Sequence, residues 1–351
     1  MTILVLVVAL IFAVGVTPLI RQLALRLNFV AIPRKDRAHQ QPTPLMGGVA
    51  LYISLAGAMI LLSIASMIEP ERDASISLGE LYVILLVGTV IALIGLWDDW
   101  RSLPPKFKAL LQLIPIVVLP AMTSIKIQMQ LPDILNFVLT VLWFMYIVNA
   151  FNYMDNMDGT AAMVATVAAM FFTVISAIND QFVLAALAAA IAGTSFGFLR
   201  YNLFTSTQMI FMGDSGSLFL GFLLAVIGIK LRFPAESPWI TWPIPVLVLG
   251  VIIFDTGLVF ISRTRRGQSF FQGGTDHLSH RLSRLGLDRY GVPFALGLVN
   301  AALGCVALLI MQSTLINSLA AQVLVAIIGL YLLYKLEFIA SYEFITGKSR
   351  Q

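Results

Sequence analysis

Charge is what this chain has least of. Only 11% of its 351 residues are Asp, Glu, Lys or Arg, against roughly 25% in an average soluble protein. Forty charges cannot cover a globule of this size. A 59% apolar content and a mean hydropathy of +0.92 point the same way. The shortage excludes an ordinary cytosolic globule, a disordered chain and a nucleic-acid-binding module, and leaves the class of multi-span membrane proteins. Cysteine is also scarce. The single one, Cys305, lies in an apolar run, which excludes a disulfide framework and a cysteine-based zinc site. The zincin and nucleophile-elbow patterns are missing. Thr346-Gly347-Lys348-Ser349 resembles the end of a P-loop, but Tyr342 stands where the first glycine belongs. Nothing suggests ATP. Neither a soluble domain, a low-complexity linker nor an internal repeat is evident, so the chain is read as a single transmembrane domain, 1–351.

Long apolar runs are what it does have. They fall near 3–20, 46–68, 81–97, 109–125, 134–151, 159–178, 181–199, 215–229, 237–262, 291–311 and 315–334. Strands of a membrane barrel would be shorter and alternating, so the pattern predicts an all-α polytopic bundle of about eleven transmembrane helices. The first run lacks a basic leader and an A-x-A-like cleavage site and is read as a span. The run at 237–262 contains Pro243, Pro245 and Asp255. Lys and Arg set the orientation. One set of loops carries seventeen: five between Arg21 and Arg37, three between Arg101 and Lys108, Arg200, six between Arg263 and Arg289, and Lys348 and Arg350 in the tail. The alternate set carries four, Arg72, Lys126, Lys230 and Arg232. The expectation is an outside N-terminus and a cytoplasmic C-terminus.

The acids crowd one side. Asp98, Asp99, Asp155, Asp158, Asp214 and Asp276 all fall at span ends or in loops of the expected cytoplasmic face. A transporter usually keeps its ionisable groups near the bilayer midplane; here the pattern suits a site where a water-soluble substrate meets a lipid one. Asp98-Asp99 repel each other unless a cation neutralises them, with a solvated acidic helix end as the plain alternative. In Asn149 to Gly159, the residues Asn152, Asp155 and Asp158 are three apart, and neighbouring members would share one helical face; the alternative is a polar loop. Phe211 to Ser217 sets Asp214 between two glycines with two hydroxyls, either oxygen ligands for Mg²⁺ or a helix-capping turn. The longest loop holds Arg263, Arg265, Arg266 and Gly273 to Arg281. Guanidinium groups match phosphate oxygens, although positive-inside topology accounts for much of the arginine. His277 and His280 lack a cysteine or third histidine for zinc. Together these features fit metal-assisted phosphoryl transfer between a nucleotide-activated donor and a lipid phosphate, which needs positioning and charge neutralisation above all.

At these residues the chain resembles the polyprenyl-phosphate N-acetylhexosamine-1-phosphate transferases (the glycosyltransferase 4 family). Five blocks occur in the family's order: Pro42 to Gly48, Asp98-Asp99 with Lys108 and Gln112, Asn149 to Gly159, Phe211 to Ser217, and Asp276 to Arg281. The resemblance implies transfer of a sugar-1-phosphate from a UDP-N-acetylhexosamine to undecaprenyl phosphate, with release of UMP, as the first step of a cell-envelope glycan. It implies a multi-pass enzyme of the cytoplasmic (inner) membrane, with catalytic loops near 21–45, 98–108, 152–159, 200–215 and 263–290 on the cytoplasmic face. Asn152 and Asp214 would hold Mg²⁺, with Mn²⁺ as a substitute. Asp98 or Asp99 would orient or deprotonate the acceptor phosphate, Lys108 would pair with a phosphate, and Asp155 and Asp158 would lie beside nucleotide and metal. Phe211 would stack near the uracil, with Thr43 nearby. His277, His280, Arg263 and Arg266 would grip the donor. The peptidoglycan branch carries three consecutive histidines in the last loop; here Leu278-Ser279 separate the two. That argues for the O-antigen and teichoic-acid branch and a smaller donor, most simply UDP-GlcNAc. The stretch from Asn202 to Phe211 is longer than usual, so Asn202 is given no nucleotide contact. Asp255 is read as structural, paired with an arginine such as Arg263. The family's members are often dimers, but no seam marks an interface. A nucleotide-sugar or lipid-linked glycan transporter and a polyprenyl-diphosphate phosphatase are the competing classes.

Overall fold

The computed structural model describes residues 1–31, 42–68, 76–205, 209–233, 237–269 and 274–339. Arg34, Lys35, Arg37, Arg72, Gly273, Lys348 and Arg350 of the charge and motif readings lie outside them. The helices are α1 (Thr2–Arg26), α2 (Gly47–Ile68), α3 (Leu78–Trp100), α4 (Pro105–Met122), α5 (Asp133–Met154), α6 (Thr160–Ile178), α7 (Phe182–Asn202) and α8 (Gly213–Lys230). After these come α9 (Pro238–Thr241), α10 (Pro243–Val248), α11 (Gly250–Arg265), α12 (Leu278–Arg284), α13 (Gly291–Met311) and α14 (Leu315–Tyr334), which runs on into a π-helical turn, Lys335–Ile339. The strands among the described residues are β1 (Val30–Ala31) and β2 (Thr43–Pro44), paired antiparallel. The fold is all-α.

Each apolar run lands on helix. Among the described residues, nine helices are long and apolar enough to cross a membrane, or ten when α9–α10 and α11 count as one broken span; Gly47–Leu61 of α2 is a shorter apolar stretch. The run at 237–262 is not one straight rod. It bends by 77° between Val248 and Gly250, after Pro243 and Pro245 have removed two amide donors from the helix ladder. A Cβ on Gly250 would come within 2.7 Å of Leu303 Cδ1, so the bend also sits against α13.

The chain forms two compact units, Met1–Pro234 and Ala235–Gln351. In the first, α7 and α8 are the most buried spans. Small residues let backbones close in on them. A Cβ on Gly193 of α7 would lie 2.2 Å from the Leu6 carbonyl oxygen of α1, and one on Gly221 of α8 would lie 2.8 Å from Phe151 of α5. Helix α7 packs on α1 and α6, and α8 packs on α2, α3 and α5. Four helix ends therefore meet around the start of α8. Ser77 opens α3 by accepting the Glu80 amide, one half of a capping box. At the far ends of α3 and α8, the buried Lys230 ammonium meets Glu80 at 3.0 Å. In the second unit, α13 contacts α10, α11, α12 and α14.

Candidate active site

The start of α8 is crowded by backbone. Gly213 has φ +71°, a left-handed conformation that suits glycine. A Cβ there would fall 2.6 Å from Asp99 Oδ2. A Cβ on Gly48 would lie 2.1 Å from the Gly216 nitrogen, and one on Gly95 2.5 Å from the Asp214 carbonyl. Helices α2 and α3 can approach α8 this closely only without side chains. The expected result of Gly48→Ala is a loss of about 3 kcal/mol or more, seen as a lowered unfolding midpoint in detergent. Gly15→Ala, with nothing within 4 Å, is the neutral control.

This convergence gathers charges from distant blocks. Lys108, in the first turn of α4, places Nζ 2.9 Å from Asp98 Oδ2 at the end of α3. The same ammonium donates to Asp214 Oδ2 and lies 3.4 Å from Asn152 Oδ1. Asn152, in the last turn of α5, donates through Nδ2 to Asp214 Oδ1 at 2.9 Å and to Ser217 Oγ at 2.8 Å. One turn away, Asn149 donates to Gln112 Oε1 at 2.9 Å.

The two adjacent carboxylates have different work. Asp99 accepts the Asp214 amide at 2.8 Å and the Ser215 amide at 3.0 Å. It caps the positive end of α8 from another helix. Asp98 accepts the Leu103 amide at 2.6 Å through Oδ1 and turns Oδ2 to Lys108.

The spacing of Asn152, Asp155 and Asp158 does not make one helical stripe. Asp155 is the C-cap of α5, and Asp158 lies in the turn before α6, where Gly159 adopts φ +76°. Among the described residues, no hydrogen bond or ion pair reaches the Asp155 carboxylate. Desolvation first, then the charges of Asp214 and Asp158, push its pKa up to about 8; a cation nearby would act in the opposite sense. Asn202, left without a role by sequence reasoning, ties this turn down. It accepts the Gly159 amide at 2.8 Å and donates to the Ile210 carbonyl at 3.0 Å. An amide side chain at the foot of an apolar helix was the available signal. The segments holding Thr43 and Phe211 are laced by backbone: Phe211 N–H donates to the Pro44 carbonyl at 2.9 Å, and Gly47 N–H to the Phe211 carbonyl at 3.0 Å. Thr43 is buried on β2, while Phe211 is partly buried.

In the C-terminal unit the basic loop is internally paired. Arg263 Nε meets Asp276 Oδ2 at 3.1 Å, and Arg266 donates to Asp276 Oδ1. Desolvation alone would raise Asp276, but Arg266 and Arg263 outweigh it and hold the carboxyl below its usual range. Asp255 is not partnered by Arg263, as the sequence suggested. Its Oδ2 lies 2.8 Å from His277 Nδ1, and its Oδ1 accepts the Leu278 amide at 2.6 Å. Arg263, one residue past two further helical turns, is instead drawn to the loop acid. His280 is partly buried. Desolvation lowers its pKa first, and the neighbouring His277 and Arg284 add to the effect, which favours the neutral ring. Arg265 and Arg281 converge on Glu337, at 2.6 and 2.7 Å. Sequence reasoning missed Glu337; its one signal was a lone acid closing an apolar run.

Hard oxygens dominate the N-terminal cluster: Asp98, Asp214, the Asn152 amide and the Ser217 hydroxyl. Among the described residues, no three His, Cys, Asp or Glu side chains close around a metal. Mg²⁺ does not require that, since one or two carboxylates plus water and substrate phosphates suffice for it. The residues fit such an ion.

Fold and site together define a multi-pass membrane protein with a lysine–carboxylate cluster suited to phosphate chemistry at the ends of its helices. The chain belongs to glycosyl transferase family 4, which matches residues 81–232; that stretch contains every member of the cluster from Asp98 to Asp214. It is 31% identical over 298 residues to the decaprenyl-phosphate N-acetylglucosaminephosphotransferase of Mycolicibacterium smegmatis, covering 76% of this chain and 71% of that one. It is 29% identical over 292 residues to a probable undecaprenyl-phosphate N-acetylglucosaminyl 1-phosphate transferase of Bacillus subtilis, covering 80% and 77%. It is 28% identical over 297 residues to the phospho-N-acetylmuramoyl-pentapeptide-transferase of Clostridium acetobutylicum, covering 78% and 86%.

Proposed function

We propose that this protein transfers GlcNAc-1-phosphate from UDP-GlcNAc to a polyprenyl phosphate, with undecaprenyl phosphate as the acceptor, and releases UMP. The observation that carries the reading is the Lys108 ammonium held among Asp98, Asp214 and Asn152 within the family-matched stretch. The names of the relatives support the sugar and the acceptor class. An oxygen of the acceptor phosphate bonds to the sugar-bearing phosphorus of the donor, and the bridging oxygen departs with UMP. One diphosphate replaces another, so the exchange is close to balanced and reversible. A phosphate monoester is already largely ionised near neutral pH. Asp98 therefore acts with Lys108 through charge and orientation more than as a strong base.

Asp214 and Asn152 are the residues to hold Mg²⁺, or Mn²⁺ in its place. A bound divalent cation would offset the negative charge of the two phosphates that must meet. Asp155 and Asp158 lie in the turn that follows Asn152, and Phe211 with nearby Thr43 would meet the nucleotide, a reading supported by the backbone bonds that join their segments. The basic loop of the C-terminal unit, with Arg263, Arg266, His277 and His280, takes the anionic donor. The excess of Lys and Arg in one set of loops supports a cytoplasmic-face site in the inner membrane, an outside N-terminus and a cytoplasmic C-terminus.

The test is UMP release by purified protein in detergent with undecaprenyl phosphate and Mg²⁺, offering UDP-GlcNAc, UDP-GalNAc or UDP-MurNAc-pentapeptide. UMP from UDP-GlcNAc alone is the expected result, lost on chelation and restored by Mg²⁺. UMP from the pentapeptide donor would move the protein to the other branch. Full turnover after chelation would remove the metal assignment.

A further inference from the structure

Helix α14 is the least buried of the apolar spans among the described residues. Between Leu315 and Tyr334 only Ser318 is buried. After it, in the π-helical turn, Glu337 is the one described residue that is buried, at 1% exposure. Polar groups near its two ends tie the helix down, interhelical hydrogen bonds being one of the forces that join helices in lipid. Near the start, Gln322 donates to Ser318 Oγ at 2.9 Å and to the Trp239 carbonyl at 2.7 Å. At the end stands Glu337.

The Glu337 carboxylate is divided between two arginines. Oε1 accepts Arg265 Nη2 at 2.6 Å and Nε at 3.0 Å. Oε2 accepts Arg281 Nη2 at 2.7 Å. Arg281 then reaches Ser262 Oγ at 2.9 Å, the Asp276 carbonyl at 2.8 Å and the Leu336 carbonyl at 2.6 Å. Its side chain is 8% exposed, so its charge depends on these partners. Arg281 lies one turn after His277 on α12 and next to His280. Through it, one carboxylate at the end of the last helix fixes the end of α11, the Asp276 backbone and α12, which carries His280 and has His277 as its N-cap.

We propose that Glu337 is a positioning residue for the donor-binding loop, acting through Arg281 and Arg265. This rests on the reading of that loop as the donor's anchor. Without the carboxylate, Arg281 loses its counter-charge and α12 its fixed seat, while the lysine–carboxylate cluster of the N-terminal unit keeps all its own partners. The defect should therefore appear in donor affinity.

The experiment is steady-state kinetics of Glu337→Gln in the purified full chain, varying UDP-GlcNAc and acceptor separately. Donor KM is expected to rise about tenfold or more, by analogy with lost supporting partners of a binding group. At saturating donor, kcat should stay within about twofold, the pattern of lost ground-state binding, and acceptor KM should not move. Glu337→Asp, which keeps the charge, should recover most of the donor affinity. An unchanged donor KM, or a fall in kcat alone, overturns the proposal. If Glu337→Gln does not fold, Arg265→Gln serves instead, because Arg265 is 44% exposed and shares the same carboxylate; a smaller rise in donor KM supports the proposal, and none overturns it. Wild-type protein that releases no UMP from UDP-GlcNAc would overturn the functional reading and this inference together. Normal wild-type turnover with unaltered variants would remove only the role of Glu337.

Discussion

Asp214→Ala is expected to leave a folded protein whose UMP release from UDP-GlcNAc is lower on the order of 10²–10³-fold, the usual loss when one preorganised charge is taken from a transfer site. The fold should survive because each partner keeps another contact. Lys108 retains Asp98 at 2.9 Å, Asn152 retains Ser217 at 2.8 Å, and Asp99 still caps the residue-214 amide, a backbone group. The Asp214 side chain is 30% exposed, so no large cavity opens. The unfolding midpoint should stay within about 4 °C of wild type, and the Mg²⁺ concentration for half-maximal activity should rise. A folded Asp214→Ala protein with full turnover would show that the cluster is a structural ion network and that the chemistry lies elsewhere.

Long apolar runs announced nearly all the helices because membrane spans declare themselves by composition, and little else competes with that signal. The site's members were also legible, as short polar blocks at the ends of those runs. Their partners were not. That Asp98 faces Lys108 while Asp99 faces the α8 backbone depends on a difference of about 100° between successive residues of a helix and on how α3 sits against α8. No local pattern encodes that crossing. Of the glycines that permit it, Gly48 and Gly213 stood in motif blocks and Gly95 only inside an apolar run; none showed which backbone it faces. Asp255 lies eight residues before Arg263, about two turns along one helix, which made that pairing plausible. The fold instead brings the loop back so that His277 and the Leu278 amide reach the carboxylate first. Glu337 was unreadable for the same reason: its partners are 72 and 56 residues away.

Asp98→Ala and Asp99→Ala should fail in different ways, although the residues are neighbours. Asp99 holds two backbone amides at the start of α8. Removing its carboxylate leaves both without their acceptor and strips the helix end of its compensating charge. The cost should be about 2 kcal/mol of stability, with activity falling because Asp214 and Ser217 shift with the helix. Asp99→Asn should not restore it fully, since one carboxamide atom must turn an N–H toward a donor. Asp98 instead spends one oxygen on the Leu103 amide and the other on Lys108. Asp98→Ala should unfold close to the wild-type midpoint, because Lys108 keeps Asp214 and Asn152, yet lose on the order of 10²-fold in turnover. Thermal unfolding and UMP release, measured side by side, separate the two. Equal stability for both variants would mean that the α8 cap contributes little. Nearly normal activity for Asp98→Ala would mean that Asp98 neutralises Lys108 without acting on the acceptor phosphate.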